Sequence, residues 1–153
     1  MSEMTKKRTL DPIRTAPGPW SDKDIRRMPT QGFQKALGIA IDEVCRDFVT
    51  AHIDIEDQHI NSVRAVHGGV LMSLADSLGA MGALQNLGPT QKTATLESKT
   101  NFMRPCTGSR ITAECRPLHL GRQTSVWHTI VRDEDGRVCA HVWQTQIHID
   151  AKA

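Results

Sequence analysis

The sequence predicts an α+β fold in which a curved antiparallel sheet wraps around one long central helix. Two short segments before residue 57 alternate hydrophobic and polar residues, as strands with one buried face do. A single apolar segment at helical spacing follows, and the period-two alternation returns from residue 93 onward. Wrapping the sheet around the helix is the simplest arrangement that buries both.

The composition fits one soluble globular domain. The chain has 153 residues, of which 39% are hydrophobic, 24% charged and 4% aromatic. The longest weakly polar stretch, residues 68–84, is interrupted by Asp76. It is also shorter than the ~20 apolar residues that a membrane span needs. We therefore expect no transmembrane segment and no membrane partner.

Basic charge is concentrated at the N-terminus. Residues 1–27 carry seven of the 19 basic side chains but only four of the 17 acidic ones, so the rest of the chain is nearly neutral. This argues against nucleic acid as a partner, because nucleic-acid-binding domains have a strongly basic face. Residues 1–30 are predicted to be a flexible or loosely packed extension without the apolar core of a secretory signal, and residues 31–150 a single domain.

The first predicted elements are two short helices. Ser21, followed three residues later by Asp24, resembles a helix N-cap with an acid in the first turn, which predicts a short helix before Pro29. A second short helix is predicted over residues 31–37. Alternation then predicts two antiparallel strands, around residues 39–41 and over residues 49–56.

The central helix is predicted to begin at Gly68-Gly69. Its large apolar residues recur at helical spacing, and they are Val70, Leu71, Leu74, Leu78, Met81 and Leu84. Nearly every other position holds glycine, alanine or serine, so we expect this helix to be buried on all sides.

Four strands are predicted after the helix. They cover residues 93–102, 108–118, 122–132 and 137–149. In the first of them, Ala94, Leu96, Ser98, Thr100 and Phe102 are predicted to share one face. Turn residues at positions 119–121 and 133–136 predict tight hairpin connections.

The cysteines and histidines show no metal-binding pattern. The four cysteines, at positions 45, 106, 115 and 139, form no CxxC pair, and the seven histidines form no HxH or HxxxH pair. We predict no metal site. Reduced and mostly buried thiols are typical of a cytoplasmic protein.

Asp76 is the most informative residue, since it is an ionisable group in the middle of a helix without a polar face. Burying a carboxylate is costly unless a partner compensates. One interpretation is structural, with the carboxylate bound to nearby backbone or to an arginine. The other is functional, since an unpaired acid in a cleft suits general-base or nucleophilic catalysis.

The glycines at the helix start suggest an anion-binding role. Unpaired backbone N–H groups at a helix N-terminus can bind a developing oxyanion, although glycines also permit close packing. Gly68 and Asp76 lie eight residues apart, which is about 12 Å along a helix axis. If both act on one substrate, they come from two chains. We therefore expect a homodimer with antiparallel helices and two equivalent sites.

Several segments resemble one enzyme family. The segments "LGIAIDEV", "NSVRAVHGGVLMSLADSLGA", "NFMRPC" and "RPLHLGRQTSVW" are similar to the hotdog-fold acyl-CoA thioesterases of the phenylacetate-pathway type, related to hydroxybenzoyl-CoA thioesterase. The last segment also resembles the aryl-thioesterases of siderophore and menaquinone biosynthesis. The resemblance implies the hotdog fold, a site between subunits, no cofactor, and dimers that pair into tetramers.

The resemblance also implies catalytic roles. Asp76 would be the nucleophile or general base, and the Gly68 amide would polarise the thioester carbonyl. Asn61 of the partner chain would hold the substrate or the hydrolytic water, and Thr95 would orient that water. His67 is a further catalytic candidate, although an imidazole just before a helix more commonly caps the helix or packs there.

Substrate binding would involve Gly69 and three arginines. A coenzyme A substrate carries several phosphate charges, which need basic groups at the mouth of the site. Arg122 in a hairpin turn, Arg104 at a strand end and Arg64 beside the active loop are the candidates.

The leading prediction is hydrolysis of an acyl- or aroyl-CoA thioester to the free acid and coenzyme A. Alternatives are a non-catalytic acyl-CoA-binding module, which would not need a buried acid, and a hotdog dehydratase or hydratase. The dehydratases use a differently placed histidine with an acid, and the sequence shows no such arrangement. A purely structural subunit would leave Asp76 in a salt bridge.

Overall fold

The computed structural model describes residues 21–88 and 90–150, which form three α-helices and six strands. The helices are α1 (Asp22–Arg27), α2 (Gly32–Ala36) and α3 (Gly68–Gln85). The strands are β1 (Ala40–Val44), β2 (Val49–Asp54), β3 (Gln91–Phe102), β4 (Arg110–Leu120), β5 (Thr124–Arg132) and β6 (Val138–Asp150). Short 3₁₀ turns cover Met28–Thr30 and Asp57–His59. The predicted α+β class is confirmed.

The six strands form one antiparallel sheet in the order β1-β2-β4-β5-β6-β3. The chain leaves β2 near one edge, passes through α3 and returns as β3 at the other edge. As a result, α3 lies across the inner face of the curved sheet and contacts all the strands from β2 to β6. Within the described residues, β3 pairs only with β6, so its outer edge carries unpaired backbone groups.

Helix α1 confirms the predicted helix before Pro29. The Ser21 hydroxyl accepts the Asp24 N–H at 3.2 Å, and the Asp24 carboxylate accepts the Ser21 N–H in return. Ile25 in this helix is fully buried in the core. This part of the predicted extension therefore packs against the domain. Residues 1–20 lie outside the described residues, and the boundary at residue 31 stays a prediction.

Helix α3 confirms the predicted central helix, and its first turn is set by His67. This residue has an extended backbone, with φ −63° and ψ 134°, and its imidazole accepts the Gly69 N–H. The helix therefore begins at Gly68. It ends at Gln85, before the C-cap residue Asn86.

Two glycines bring α3 close to the sheet. At Gly82 a Cβ would lie 2.5 Å from the ring of Trp127, which is itself fully buried. At Gly79 a Cβ would overlap the side-chain oxygen of Gln144. The absence of side chains at these positions therefore allows the large side chains of β5 and β6 to fit beneath the helix.

One side of α3 is open in the single chain, so the prediction of burial on all sides is wrong. Between its end residues Gly68 and Gln85, which are also partly exposed, the partly or largely exposed residues of α3 are Gly69, Met72, Ser73, Asp76 and Ala80. They recur at intervals of three or four residues and form one stripe along the helix. The chain's own sheet covers this side of the helix only in part, although the Asp76 side chain bonds Thr95 and Gln144 of the sheet. We call these five residues the open stripe.

Strand β3 contains a bulge at Leu96. Thr95 lies opposite Gln146 on β6, but Ser98 lies opposite Gln144, so three steps along β3 match two along β6. Because directly opposed residues share a face, Thr95 and Ser98 both face α3. The predicted regular alternation through β3 is therefore wrong, since the pattern changes phase at the bulge.

A second bulge shifts one predicted turn. The register of β4 changes between Pro117 and His119, and β4 continues to Leu120. The β4–β5 turn consequently lies at residues 121–123 rather than 119–121. The turn at residues 133–136 is where the sequence predicts it, and Gly136 takes a positive φ of 78° there.

The cysteines are mostly buried thiols, as the sequence predicts. All four cysteines are free, and Cys106, Cys115 and Cys139 are buried. In the part of the chain that the structure describes, no helix combines the length and the hydropathy that crossing a bilayer requires.

Candidate functional site

The loop before α3 is shaped by Asn61. Its Oδ1 accepts the backbone N–H groups of Val63 at 3.1 Å and Ala65 at 3.0 Å. Arg64, at the tip of this loop, adopts a positive φ of 60°. The Asn61 oxygen is thus used by the turn. The Asn61 NH₂ makes no hydrogen bond within the described residues, and it is the part of this side chain that can serve a substrate.

The start of α3 presents one unpaired backbone N–H. His67 Nδ1 accepts the Gly69 N–H at 2.9 Å, which uses one of the two amides that the sequence suggested. The Gly68 N–H has no acceptor among the described residues. An unpaired N–H at this end of a helix is suited to stabilising negative charge on a carbonyl oxygen. The ring of Phe102 lies against Gly68, where a Cβ would be 3.0 Å from Cζ.

Asp76 projects from the open stripe and is held by two donors of its own chain. Thr95 Oγ donates to Asp76 Oδ1 at 3.0 Å, and Gln144 Nε2 donates to the same oxygen at 2.7 Å. One structural interpretation of Asp76 was an ion pair with an arginine. Within the described residues the carboxylate forms no such pair. Oδ2 has no hydrogen-bond partner there. Asp76 therefore has one anchored oxygen and one available oxygen.

Sequence reasoning missed two glutamines beneath Asp76. Gln144 is 2% exposed and Gln146 is fully buried, and both side chains reach from β6 toward Thr95. A signal for them exists in the sequence. The period-two pattern through Val142 places positions 144 and 146 on the core face of β6, where a polar residue needs a specific partner.

The single chain does not bring Gly68 and Asp76 together. They lie in the first and third turns of the same helix, about 12 Å apart along its axis. Thr95, in contrast, contacts Asp76 within one chain. Each chain therefore carries the carboxylate with its partners in one place and the helix N-terminus with its unpaired N–H in another.

The three candidate arginines are all exposed, at two different ends of the sheet. Arg122 lies in the β4–β5 turn, at the end of the sheet where β3 begins. Arg104 follows the end of β3, and Arg64 lies in the loop before α3. The last two loops are joined, because the Val66 N–H donates to the Cys106 carbonyl at 2.8 Å.

The buried cysteines are unsuited to nucleophilic catalysis. Burial raises the pKa of the Cys115 thiol to about 12, against a smaller opposing effect of its hydrogen bond with Thr129. Burial, together with the neighbouring Cys139, also raises the pKa of Cys106. Both thiols are therefore protonated at neutral pH, and a thiol is a far weaker nucleophile than a thiolate.

A serine–histidine pair on β5 and β6 is structural. Ser125 Oγ and His148 Nε2 lie 3.0 Å apart, and Ser125 also accepts the Trp127 Nε1–H at 2.9 Å. Ser125 is completely buried, so no substrate carbonyl can reach its hydroxyl. In residues 21–88 and 90–150, no group of three or more histidine, cysteine or acidic side chains is placed to hold a metal ion.

Comparison with known proteins shows the family. The model of a family described as "Thioesterase superfamily" matches residues 64–140, which include α3 and most of the sheet. The "Proofreading thioesterase EntH" of Klebsiella pneumoniae is 32% identical over 103 residues, covering 67% of this chain and 75% of that protein. The "1,4-dihydroxy-2-naphthoyl-CoA hydrolase" of Escherichia coli is 30% identical over 103 residues, covering 67% of this chain and 76% of that protein.

A solved structure shares the fold. The crystal structure of a thioesterase from Haemophilus influenzae superposes with a TM-score of 0.81 and covers 88% of this chain and 94% of that one. The sequence identity is 23%. This similarity shows that the sheet wrapped around α3 is the hotdog fold expected from the sequence.

Proposed function

Because the chain belongs to the thioesterase superfamily and is a thioester hydrolase, we propose that it cleaves an acyl- or aroyl-coenzyme A thioester to the free carboxylic acid and coenzyme A. The observation that carries this proposal is the Asp76 carboxylate on the open stripe, with Oδ1 anchored and Oδ2 available. An oxygen presented in this way can attack a carbonyl carbon or take a proton from water.

Two routes use these groups, and both balance. In the first, Asp76 Oδ2 attacks the thioester carbon, the C–S bond breaks and coenzyme A leaves as the thiolate. Water then hydrolyses the acyl–aspartyl anhydride, which restores the Asp76 carboxylate, releases the acid and gives a proton to the thiolate. In the second, Asp76 takes a proton from a water that attacks the carbon, and that proton passes to the departing thiolate. In both routes the Gly68 N–H stabilises the tetrahedral oxyanion.

The supporting residues follow from their hydrogen bonds. Thr95 would act on the water only through Asp76, because its proton is donated to Asp76 Oδ1 and its oxygen accepts from Gln144 and Gln146. The NH₂ of Asn61 is the group that would contact substrate or water. His67 serves the site by capping α3, because its bond to the Gly69 N–H fixes the first turn in which Gly68 lies. Gly69 contributes close approach of the substrate to the backbone rather than a second N–H.

The proposed active unit is a homodimer. Gly68 of one chain would face Asp76 of its partner if two copies of α3 pack antiparallel along the open stripe. Three features support this arrangement, namely the small residues of the stripe, the unpaired edge of β3 and the exposed apolar side chains at Met72, Phe102 and Met103. We further propose that dimers pair into tetramers and that the protein acts in the cytoplasm.

The same arrangement explains the positions of the arginines. Antiparallel helices would bring Arg64 and Arg104 of one chain to the end where its partner carries Arg122. Together they would form a basic rim for the phosphates of coenzyme A. Replacing Arg122 with alanine should raise KM for a coenzyme A thioester but leave KM for the matching pantetheine thioester, which lacks the nucleotide, unchanged.

The experiment that tests the function is a thiol-release assay on the wild type and Asp76→Asn. The panel should include acetyl-, medium-chain, phenylacetyl-, hydroxybenzoyl- and 1,4-dihydroxy-2-naphthoyl-CoA, the last because the E. coli relative is named for it. We expect hydrolysis of at least one member, and a loss of about 10²- to 10⁴-fold in Asp76→Asn. Binding of these thioesters without hydrolysis by the wild type would instead identify a non-catalytic acyl-CoA-binding module.

A further inference from the structure

We propose that Gln144 is a positioning residue that fixes the Asp76 carboxylate through Oδ1 and leaves Oδ2 alone to meet the substrate. This inference rests on the proposed function of Asp76. The direction of each hydrogen bond beneath the carboxylate supports it, as does the burial of the residues that make these bonds.

The hydrogen bonds of Gln146 set the direction of the network. Thr93 Oγ donates to Gln146 Oε1 at 2.8 Å, which turns the Gln146 NH₂ toward Thr95. Gln146 Nε2 then donates to Thr95 Oγ at 2.8 Å. Because Thr95 Oγ already accepts a hydrogen bond, its own proton is directed to Asp76 Oδ1.

The orientation of the Gln144 amide is fixed independently. Its nitrogen lies 3.2 Å from the backbone carbonyl oxygen of Asp76 and 2.7 Å from Asp76 Oδ1, and both of these atoms can only accept. The opposite orientation would place an amide oxygen against a carbonyl and a carboxylate. The Gln144 amide and the Thr95 hydroxyl therefore both donate to the same carboxylate oxygen, Asp76 Oδ1.

This arrangement carries costs that a purely structural residue would avoid. Gln144 is 2% exposed, and its Oε1 is buried with no hydrogen-bond partner among the described residues. It also requires glycine at position 79, since a Cβ there would overlap this oxygen. An aliphatic side chain at position 144 would pack beneath α3 without leaving a buried acceptor unpaired. The positioning of Asp76 is the feature that accounts for an amide at this place.

The test compares Gln144→Met with the wild type. Methionine has a similar length but cannot donate, so the carboxylate keeps only the Thr95 bond and gains rotational freedom. We expect kcat to fall on the order of 100-fold, as misplacement of a reacting group by about 1 Å does. KM should change little, because Gln144 is buried beneath Asp76 and would not contact the substrate.

Gln144→Glu provides a second variant with the same shape. A carboxyl at this position can donate to Asp76 Oδ1 only while it is protonated. Its activity relative to the wild type should therefore rise as the pH is lowered from about 8 to 5, because the two carboxyls then share a proton. A ratio that does not change with pH would overturn the positioning role.

Gln91→Met is the matched control. Gln91 lies on β3 and bonds the Gly88 N–H and Asp150, far along the strand from Asp76. Its replacement removes a strand glutamine of the same sheet and should leave kcat at the wild-type value. A similar loss of kcat in this control would show that the Gln144 effect is general damage to the sheet, and would overturn the proposal.

Combining Gln144→Met with Asp76→Asn separates the two proposals. If Gln144 acts only through Asp76, the double variant is no slower than Asp76→Asn alone. An additional loss in the double variant, or wild-type kcat in Gln144→Met, would overturn the positioning role. Wild-type hydrolysis by Asp76→Asn would overturn the role of Asp76 on which this inference rests, whereas the proposed function itself fails only if the wild type hydrolyses none of the thioesters.

Discussion

The two faces of α3 use the same small residues for different purposes. On the face toward the sheet, Gly79 and Gly82 give room for Gln144 and Trp127 of the same chain. On the opposite face, the residues of the open stripe stay partly or largely exposed, and Asp76 keeps one carboxylate oxygen without a partner among the described residues. The first face is complete in one chain, whereas the second is left for a partner.

This difference shows why composition alone does not reveal what a small residue does. A glycine beneath a buried ring is constrained by the packing of its own domain, and enlarging it strains that domain. A small residue on an uncovered stripe leaves the folded chain unaffected and limits only what can approach from outside. The two faces should therefore respond differently to substitution, in stability for one and in assembly and catalysis for the other.

The largest expected effect tests whether the open stripe is shared between chains. Asp76→Asn should lower activity by about 10²- to 10⁴-fold, and Gly68→Pro by about 10²- to 10³-fold because it removes the oxyanion donor. Proline suits this position, since Gly68 is the first helical residue and the residue before it is extended. Dimers reassembled from equal amounts of the two variants should recover about a quarter of wild-type activity, since half of them contain one intact site out of two.

The matched control is Gly68→Ala, which adds a Cβ near the same ring of Phe102 but keeps the N–H. Gly68→Ala should retain most of the activity when tested alone. Mixing it with Asp76→Asn should give no activity beyond that of the Gly68→Ala protein in the mixture. A mixture of Asp76→Asn and Gly68→Pro that stays as inactive as its components would place both groups in a single-chain site and contradict the shared stripe.

A smaller effect is expected when the stripe is charged. Met72 is 40% exposed in the single chain and lies between Gly68 and Asp76, close to the proposed twofold axis. Met72→Glu would bury two like charges against each other, so the dimer dissociation constant should rise about 100-fold or more. Analytical ultracentrifugation should find folded monomers with little activity. Leu118→Glu, at an exposed apolar position on the β4 bulge, should remain dimeric and active.

On the sheet face, Gly82→Ala should affect stability rather than chemistry. The added Cβ would lie within 2.5–2.9 Å of the buried Trp127 ring, and such overpacking costs about 1–3 kcal/mol in the free energy of unfolding. Denaturant unfolding at a fixed protein concentration measures this loss. The kcat of the folded fraction should stay at the wild-type value, and a large fall in kcat would mean that the two faces are not independent.

The smallest effect is expected at the N-terminus of α3, where His67 caps the helix. His67→Ala removes the cap on the Gly69 N–H and should cost about 1 kcal/mol of stability. His67→Asn keeps an oxygen acceptor at the N-cap, so stability and most of the activity should be retained. Thermal unfolding and kcat are the measurements. A loss above about 100-fold in the asparagine variant, comparable to removal of an oxyanion donor, would assign His67 a direct catalytic role.

The sequence predicted the central helix and, before it, two short helices and two strands. It also singled out Asp76, and the physical reason is the same in each case. Helical spacing, alternation and a capping pair such as Ser21 with Asp24 are local signals, and each is read over a few residues. Asp76 stood out because an ionisable group among apolar neighbours conflicts with its surroundings. The roles of Asn61 and His67 came from the family resemblance, and the structure adds the hydrogen bonds that each of them makes.

The rest depended on contacts between distant segments. The sequence predicted that the residues of the open stripe are buried in the chain's own core, because small and apolar residues occur both in cores and at interfaces between chains. The bulge at Leu96 has no local signature, because threonine, leucine and serine suit either face of an edge strand. Gln144 was missed because its partner, Asp76, is 68 residues away along the chain. Only the pairing of β6 with β3 and α3 brings the two together.

The extra residue at Leu96 also divides β3 into two functional halves. The half before it delivers Thr95 to Asp76, and the half after it leads along the helix to the ring of Phe102 over Gly68. Deleting Leu96 would leave Thr95, Glu97 and Ser98 opposite three consecutive residues of β6, so both halves would keep their inner faces and the strand would lose only its bulge. A deletion farther along β3 would instead turn the residues beyond it to the opposite face, and the strand would lose its connection to one of the two ends of the helix.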